Sequence, residues 1–256
     1  MPYFTYNGYS CYYEEKGEGR PLLLLHGNSA SSTMFYEIAD QFALHYKVIL
    51  IDFLGHGQSD RVEQFPADLW YDEARQVIAF LKQKNYKDVL LIGSSGGALA
   101  AINVALEAPE LIDKVVADSF EGEVPLKEFT ENVIKDREAS KQDKDARMFY
   151  EYMHGSDWEG VVDNDTDAIV AHAKTIGYFF HKPLNTLKAK ILMIGSKEDE
   201  FTSAVGKDFF AETYGGMIKK IGHGRYHIFE KGRHPACLSN RDEFFNISHK
   251  FFCSEA

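Results

Sequence analysis

Five short apolar runs recur along the chain: "PLLLLHG" from Pro21, "KVILIDFLG" from Lys47, "DVLLIGS" from Asp88, "DKVVADSF" from Asp113 and "AKILMIGS" from Ala189. A strand with one wet face alternates apolar and polar residues. Runs this continuous need cover on both faces, as in a parallel sheet lying between two helical layers. Helical periodicity fills the gaps, over residues 33–44, 70–84, 98–107, 203–213 and 241–252. Strand and helix therefore alternate, and the class is α/β with a mostly parallel sheet. Two further strands precede the series in "YFTYNGYSCYYEE", where Asn7-Gly8 supplies a tight hairpin turn. "YHIFEKG" from Tyr226 closes it, for eight strands in all.

One segment breaks the alternation. About 65 residues separate "VVADSF" from "KAKILMIGS", far more than an ordinary connection, and they carry helical but no strand periodicity. The expectation is one domain over residues 1–256 with a helical lid inserted at about 121–185. Residues 121–167 hold fourteen acidic and six basic side chains, so most of the chain's net charge of -11 lies there. The insertion also carries Phe129, Met148, Phe149, Tyr152, Met153, Trp158, Ile169, Ile176, Tyr178, Phe179 and Phe180. Some of these pack it onto the body and a few line a pocket.

The acidic balance argues against nucleic acid as a partner, since a phosphate-binding face needs clustered Lys and Arg. No run of about 18 apolar residues occurs, so no membrane span is expected. Cys11, Cys237 and Cys253 lack Cys-x-x-Cys spacing, which suggests neither a disulfide framework nor a zinc site and fits a reducing, cytoplasmic compartment. "DNDTD" at 163–167 begins like a calcium loop, but Ala168 stands where that loop needs Gly and Lys174 where it needs Glu. Its expected role is to cap the helix that follows. No metal or cofactor is expected.

Gly93-Ser94-Ser95-Gly96-Gly97 follows an apolar strand and precedes a small-residue helix, the context that the G-x-S-x-G pattern requires. A chain turning sharply from strand to helix strains its central residue, and neighbours without Cβ atoms avoid clashes there. Such a turn lifts the Ser95 hydroxyl clear of the sheet, in front of a helix N-terminus. A serine nucleophile needs a base, and the base needs an orienting group. His234 in "FEKGRHPACLSNRDEF" follows the last strand and precedes the final helix, which brings it to the sheet's carboxyl edge, where open α/β sheets bind ligands. His227 and His249 fall within a strand and a helix, and His172 and His181 in the insertion, where either is placed to face substrate. For the acid, Asp199 in "LMIGSKEDEF" and Asp118 in "VVADSF" both end strands at that edge, and Glu198 and Glu200 flank the first. Donors for a developing oxyanion are offered by the backbone N–H groups of Asn28, after "LLLLHG", and of Gly96.

"LHGNSAS", "DFLGHGQSD", "GSSGG", "GSKEDEF" and "GRHPACLSNRDEF" occur in that order over most of the chain, which resembles the α/β-hydrolase superfamily, in particular its lidded, single-domain esterase-like members. The resemblance implies Ser95 as nucleophile, Asp199 as acid, His234 as base and the Asn28 and Gly96 amides as oxyanion hole, with Asp118 the alternative acid. It makes Asp52, Gly55 and Gly57 a structural loop and gives His56 no catalytic role. "GSKED" carries one residue more between Gly and Asp than the family's usual acid loop.

The function that follows is hydrolysis of a small neutral ester or thioester through an acyl-enzyme. A net negative lid disfavours an anionic substrate unless a lid Arg or Lys turns inward. Carbon–carbon bond hydrolases, lactonases and perhydrolases share the triad, and a non-catalytic binding protein on the same fold is the alternative of another class. Dehalogenase and epoxide-hydrolase relatives attack with an aspartate where this chain has Ser95, and are disfavoured.

Overall fold

The computed structural model describes residues 2–254. Eight strands form one sheet: β1 (Tyr3–Tyr6), β2 (Tyr9–Lys16), β3 (Pro21–Leu25), β4 (Lys47–Ile51), β5 (Val89–Ser94), β6 (Ile112–Asp118), β7 (Lys190–Ser196) and β8 (Arg225–Phe229). Their spatial order is β1-β2-β4-β3-β5-β6-β7-β8. β1 pairs antiparallel with β2 and β2 with β4, and every later pair is parallel. The hairpin turn forms at Asn7 and Gly8, both at positive φ (49° and 88°), as a two-residue connection matched to strand twist requires.

The continuous apolar runs are explained by two cores, one on each face. Leu23, Leu25, Ile49, Ile51 and Leu91 point into the core shared with helices α2 (Leu69–Lys84), α3 (Gly96–Glu107) and α8 (Phe209–Ile221). Their neighbours Leu22, Leu24, Val48, Leu50 and Leu90 point the other way, onto α1 (Tyr36–Ala43) and α10 (Arg241–Cys253). Successive strand side chains alternate between faces, so a strand buried on both sides has no polar position.

Between β6 and β7 the chain forms three helices, α4 (Lys127–Gln142), α5 (Lys144–His154) and α6 (Trp158–Thr175). They pack on one another and reach the body through α2 and the turn at Ser32–Phe35. Within the insertion Met153, Trp158, Ile169 and Phe179 are buried, whereas Met148, Tyr152 and Tyr178 are exposed. "DNDTD" does not cap a helix: α6 begins at Trp158, and residues 163–167 lie within it. There Asp163 pairs with Lys141 at 2.6 Å and Asn164 Oδ1 accepts the Phe65 N–H at 2.6 Å. The periodicity at 203–213 also divides, into α7 (Glu200–Val205) and α8, because Gly206 takes a φ of 106° between them. A four-residue helix, α9 (Ala236–Ser239), precedes α10. No helix among the described residues is long and apolar enough to cross a membrane.

Candidate active site

Ser95 sits between β5 and α3 with φ 55° and ψ -122°, a conformation costly for a residue with a Cβ. The glycines around it permit close approach. A Cβ on Gly93 would lie 2.2 Å from the Gly97 carbonyl oxygen, and one on Gly97 would lie 2.1 Å from that of Leu25. The Ser95 N–H donates to the Asp118 carbonyl at 2.7 Å, and the Ala98 N–H donates to the Ser95 carbonyl at 2.9 Å. Backbone bonds on both sides thus hold the strained turn in place.

β7 ends at Ser196, and the loop after it carries Asp199, buried at 1% exposure. Asp199 Oδ2 lies 2.9 Å from His234 Nδ1. Glu200 accepts from the His234 backbone N–H at 2.8 Å and from Arg233 Nε at 2.6 Å, and Glu198 accepts from the Gly232 N–H at 3.3 Å. The two glutamates flanking Asp199 therefore hold the loop that carries His234. Burial works against charge on the His234 imidazole, but the hydrogen bond and charge of Asp199, helped by Asp118 and Glu200, outweigh it and hold its pKa above the ordinary value.

Asp118 is fully buried. Its Oδ2 accepts from Ser94 Oγ at 3.2 Å and the Cys237 N–H at 3.1 Å, and its Oδ1 accepts from Ser119 Oγ at 3.1 Å. Burial pushes its pKa up to about 6, against the bonds from Cys237 and the charge of His234. It ties the residue before Ser95 to the segment after His234.

Ser95, Asp199, His234, Asn28 and Gly96 all line one cavity of about 980 Å³. Its walls include Leu99 and Phe120 from the body and Phe129, Val133 and Phe149 from the insertion. Among the described residues His234 is the only histidine on this wall. His172 instead packs between Trp70 and Phe179, and His181 pairs with Asp68 at 2.6 Å. Asn28 follows Gly27, which packs against Ser95: a Cβ on Gly27 would stand 3.0 Å from Ser95 Cβ. Gly96 opens α3, where backbone N–H groups lack intrahelical partners.

Sequence reasoning missed the titratable wall residue Glu121. It lines the cavity while its carboxyl accepts the Leu126 N–H, and burial pushes its pKa up to about 8. Nothing in the local pattern marks it.

The family model described as "alpha/beta hydrolase fold" matches residues 20–152, just over half of the chain. Over 109 residues the chain is 34% identical to (E)-2-((N-methylformamido)methylene)succinate hydrolase of Acinetobacter baylyi, a stretch covering 43% of this chain and 41% of that protein. It is 24% identical over 251 residues to the mouse (Mus musculus) serine hydrolase BPHL, covering 96% of this chain and 84% of the relative. The crystal structure of the enol-lactonase from Burkholderia xenovorans LB400 superposes with a TM-score of 0.74 at 16% identity, covering 99% of this chain and all of that one. The eight-stranded sheet and the family match agree: the chain belongs to the alpha/beta hydrolase family and is a hydrolase.

Proposed function

We propose that the chain is a serine hydrolase that cleaves a small neutral carboxylic ester or thioester through an acyl-enzyme on Ser95. The observation that carries this is the buried Asp199 bonded to His234 Nδ1 in a cavity that also receives the strained Ser95. With Nδ1–H given to Asp199, the other ring nitrogen is left as the base. It takes the Ser95 proton as Oγ attacks the carbonyl. The tetrahedral oxyanion sits against the Asn28 and Gly96 N–H groups, preorganised donors of the kind worth several kcal/mol to such a step. Collapse expels the alcohol or thiol, which receives the proton from His234, and water repeats the sequence on the acyl-enzyme.

The substrate class follows from the walls. Leu99, Phe120, Phe129, Val133 and Phe149 suit an apolar acyl group. Glu128 and Asp136 on the same wall disfavour a second negative charge, and the inward Arg137 already faces Asp165 at 3.8 Å. The insertion acts as a lid over this cavity. Free Cys11, Cys237 and Cys253 fit work in the cytoplasm. Assay of parent and Ser95→Ala on 4-nitrophenyl esters of increasing acyl length tests the reading: turnover by the parent alone supports it, and equal turnover by both proteins rejects it.

A further inference from the structure

On the serine-hydrolase reading above, the loop after β3 has to hold the Asn28 N–H toward the oxyanion, and its geometry is held from far away in the chain. The Asn28 side chain is clamped at both ends. Its Oδ1 accepts from Trp70 Nε1 on α2 at 3.1 Å, and its Nδ2 donates to Asp165 Oδ1 on α6 at 2.6 Å. The next residue, Ser29, is fully buried at a φ of 53° and donates its hydroxyl to the other oxygen of the same carboxylate. Gly96 leaves the space for this clamp, since a Cβ there would meet Asn28 Oδ1 at 2.2 Å.

Asp165 is itself fully buried, and burial raises its pKa while Arg137, Ser29 and Asn28 act to lower it. Arg137 on α4 places Nη2 3.8 Å from Asp165 Oδ2 and donates through Nη1 to Tyr150 Oη at 2.8 Å. A buried carboxylate without a counter-charge is costly. The guanidinium offsets it, and the carboxylate is used through two adjacent loop residues.

We propose that Asp165 is a positioning residue for the oxyanion loop, so that the insertion supplies part of the acyl-transfer machinery as well as its cover. An effect on oxyanion geometry appears in kcat and leaves ground-state binding nearly unchanged.

The test is steady-state hydrolysis of a 4-nitrophenyl ester by the full chain and its variants. Asp165→Ala is expected to lower kcat by about tenfold or more with KM within about threefold, and Asp165→Asn, which keeps one acceptor, to recover about threefold of that loss. In a background carrying both Asn28→Ala and Ser29→Ala, Asp165→Ala is expected to change kcat by less than about twofold, because both side chains it acts on are gone. Asp163→Ala, two positions earlier on α6, should keep the parent kcat. Retention of the parent kcat by Asp165→Ala, a further multiplying loss when Asp165→Ala is added to the Asn28→Ala and Ser29→Ala background, or loss of a cooperative unfolding transition in both Asp165 variants would each overturn the proposal. Failure of the parent reading shows separately, as turnover that survives Ser95→Ala.

Discussion

Asp199 Oδ2 stands 2.9 Å from His234 Nδ1, whereas Asp118, buried beneath the same site, accepts hydrogen bonds at both carboxylate oxygens from Ser94, Ser119 and Cys237. The two strand-end carboxylates are thereby given different work. Asp199→Asn is expected to cost about three to four orders of magnitude in kcat, by favouring the wrong imidazole tautomer. Asp118→Asn is expected to keep activity within about tenfold and to lose about 1–3 kcal/mol of stability, since an amide cannot accept from all three donors. Paired kinetics and urea melts on the two variants decide it, and the reverse ranking would make Asp118 the orienting acid.

The pH dependence follows from His234. In the proposed mechanism its imidazole must be neutral to accept the Ser95 proton, and Asp199 holds its pKa above 6.5 despite burial. The rate, as kcat/KM, is therefore expected to rise with pH along a limb centred above that value. Removing the carboxylate in Asp199→Asn leaves burial in control, and the limb of the residual activity moves to lower pH. A limb that stays in place in that variant would assign it to another group.

A second pH effect concerns the junction of insertion and body. His154, at the end of α5, accepts the Gly57 N–H at 3.1 Å, and its ring lies 5.8 Å from that of His56, itself 5.1 Å from His26. Burial lowers the His154 pKa from 6.5 to about 4, against a hydrogen bond with the Ser29 backbone and with smaller help from His26 and Arg61. A histidine depressed in the fold contributes stability that is present above its unfolded value and lost as pH falls through the folded one. His154→Gln stays neutral throughout. The parent's stability relative to this variant is expected to fall by about 3 kcal/mol between pH 7 and 4, at about 1.4 kcal/mol per pKa unit. Denaturant melts at the two pH values test this, and a difference independent of pH would speak against it.

The contact between β3 and α3 predicts a steric defect. Gly97 has an ordinary helical backbone, but a Cβ there would lie 2.1 Å from the Leu25 carbonyl oxygen. Gly97→Ala is expected to cost about 2–3 kcal/mol, because backbone must move, and to lower activity by displacing Ser95. A thermal midpoint equal to the parent's would show that the helix shifts freely.

Periodicity made most of the fold legible, because a doubly covered sheet writes itself as unbroken apolar runs. The elbow was legible because its glycines are gathered in one pentapeptide between a strand and a helix, although the backbone that crowds Gly97 comes from Leu25 on β3. Asp199 could be narrowed only to one of two strand ends, since choosing between them depends on where Asp118 spends its bonds. The helix-cap reading of "DNDTD" failed because α6 starts at Trp158, five residues before the run. Asp165 and Glu121 were not legible at all. The partners of Asp165 lie on the loop after β3 and on α4, and no local pattern encodes contacts of that kind or the placing of Glu121 on the cavity wall.

The central claim is that Ser95 is an activated nucleophile, and intact-mass analysis after fluorophosphonate treatment tests it most directly. The parent is expected to gain one phosphonyl adduct, mapped to Ser95 by peptide sequencing, and Ser95→Ala to gain none. An unmodified parent, or an adduct that persists in Ser95→Ala, would contradict it.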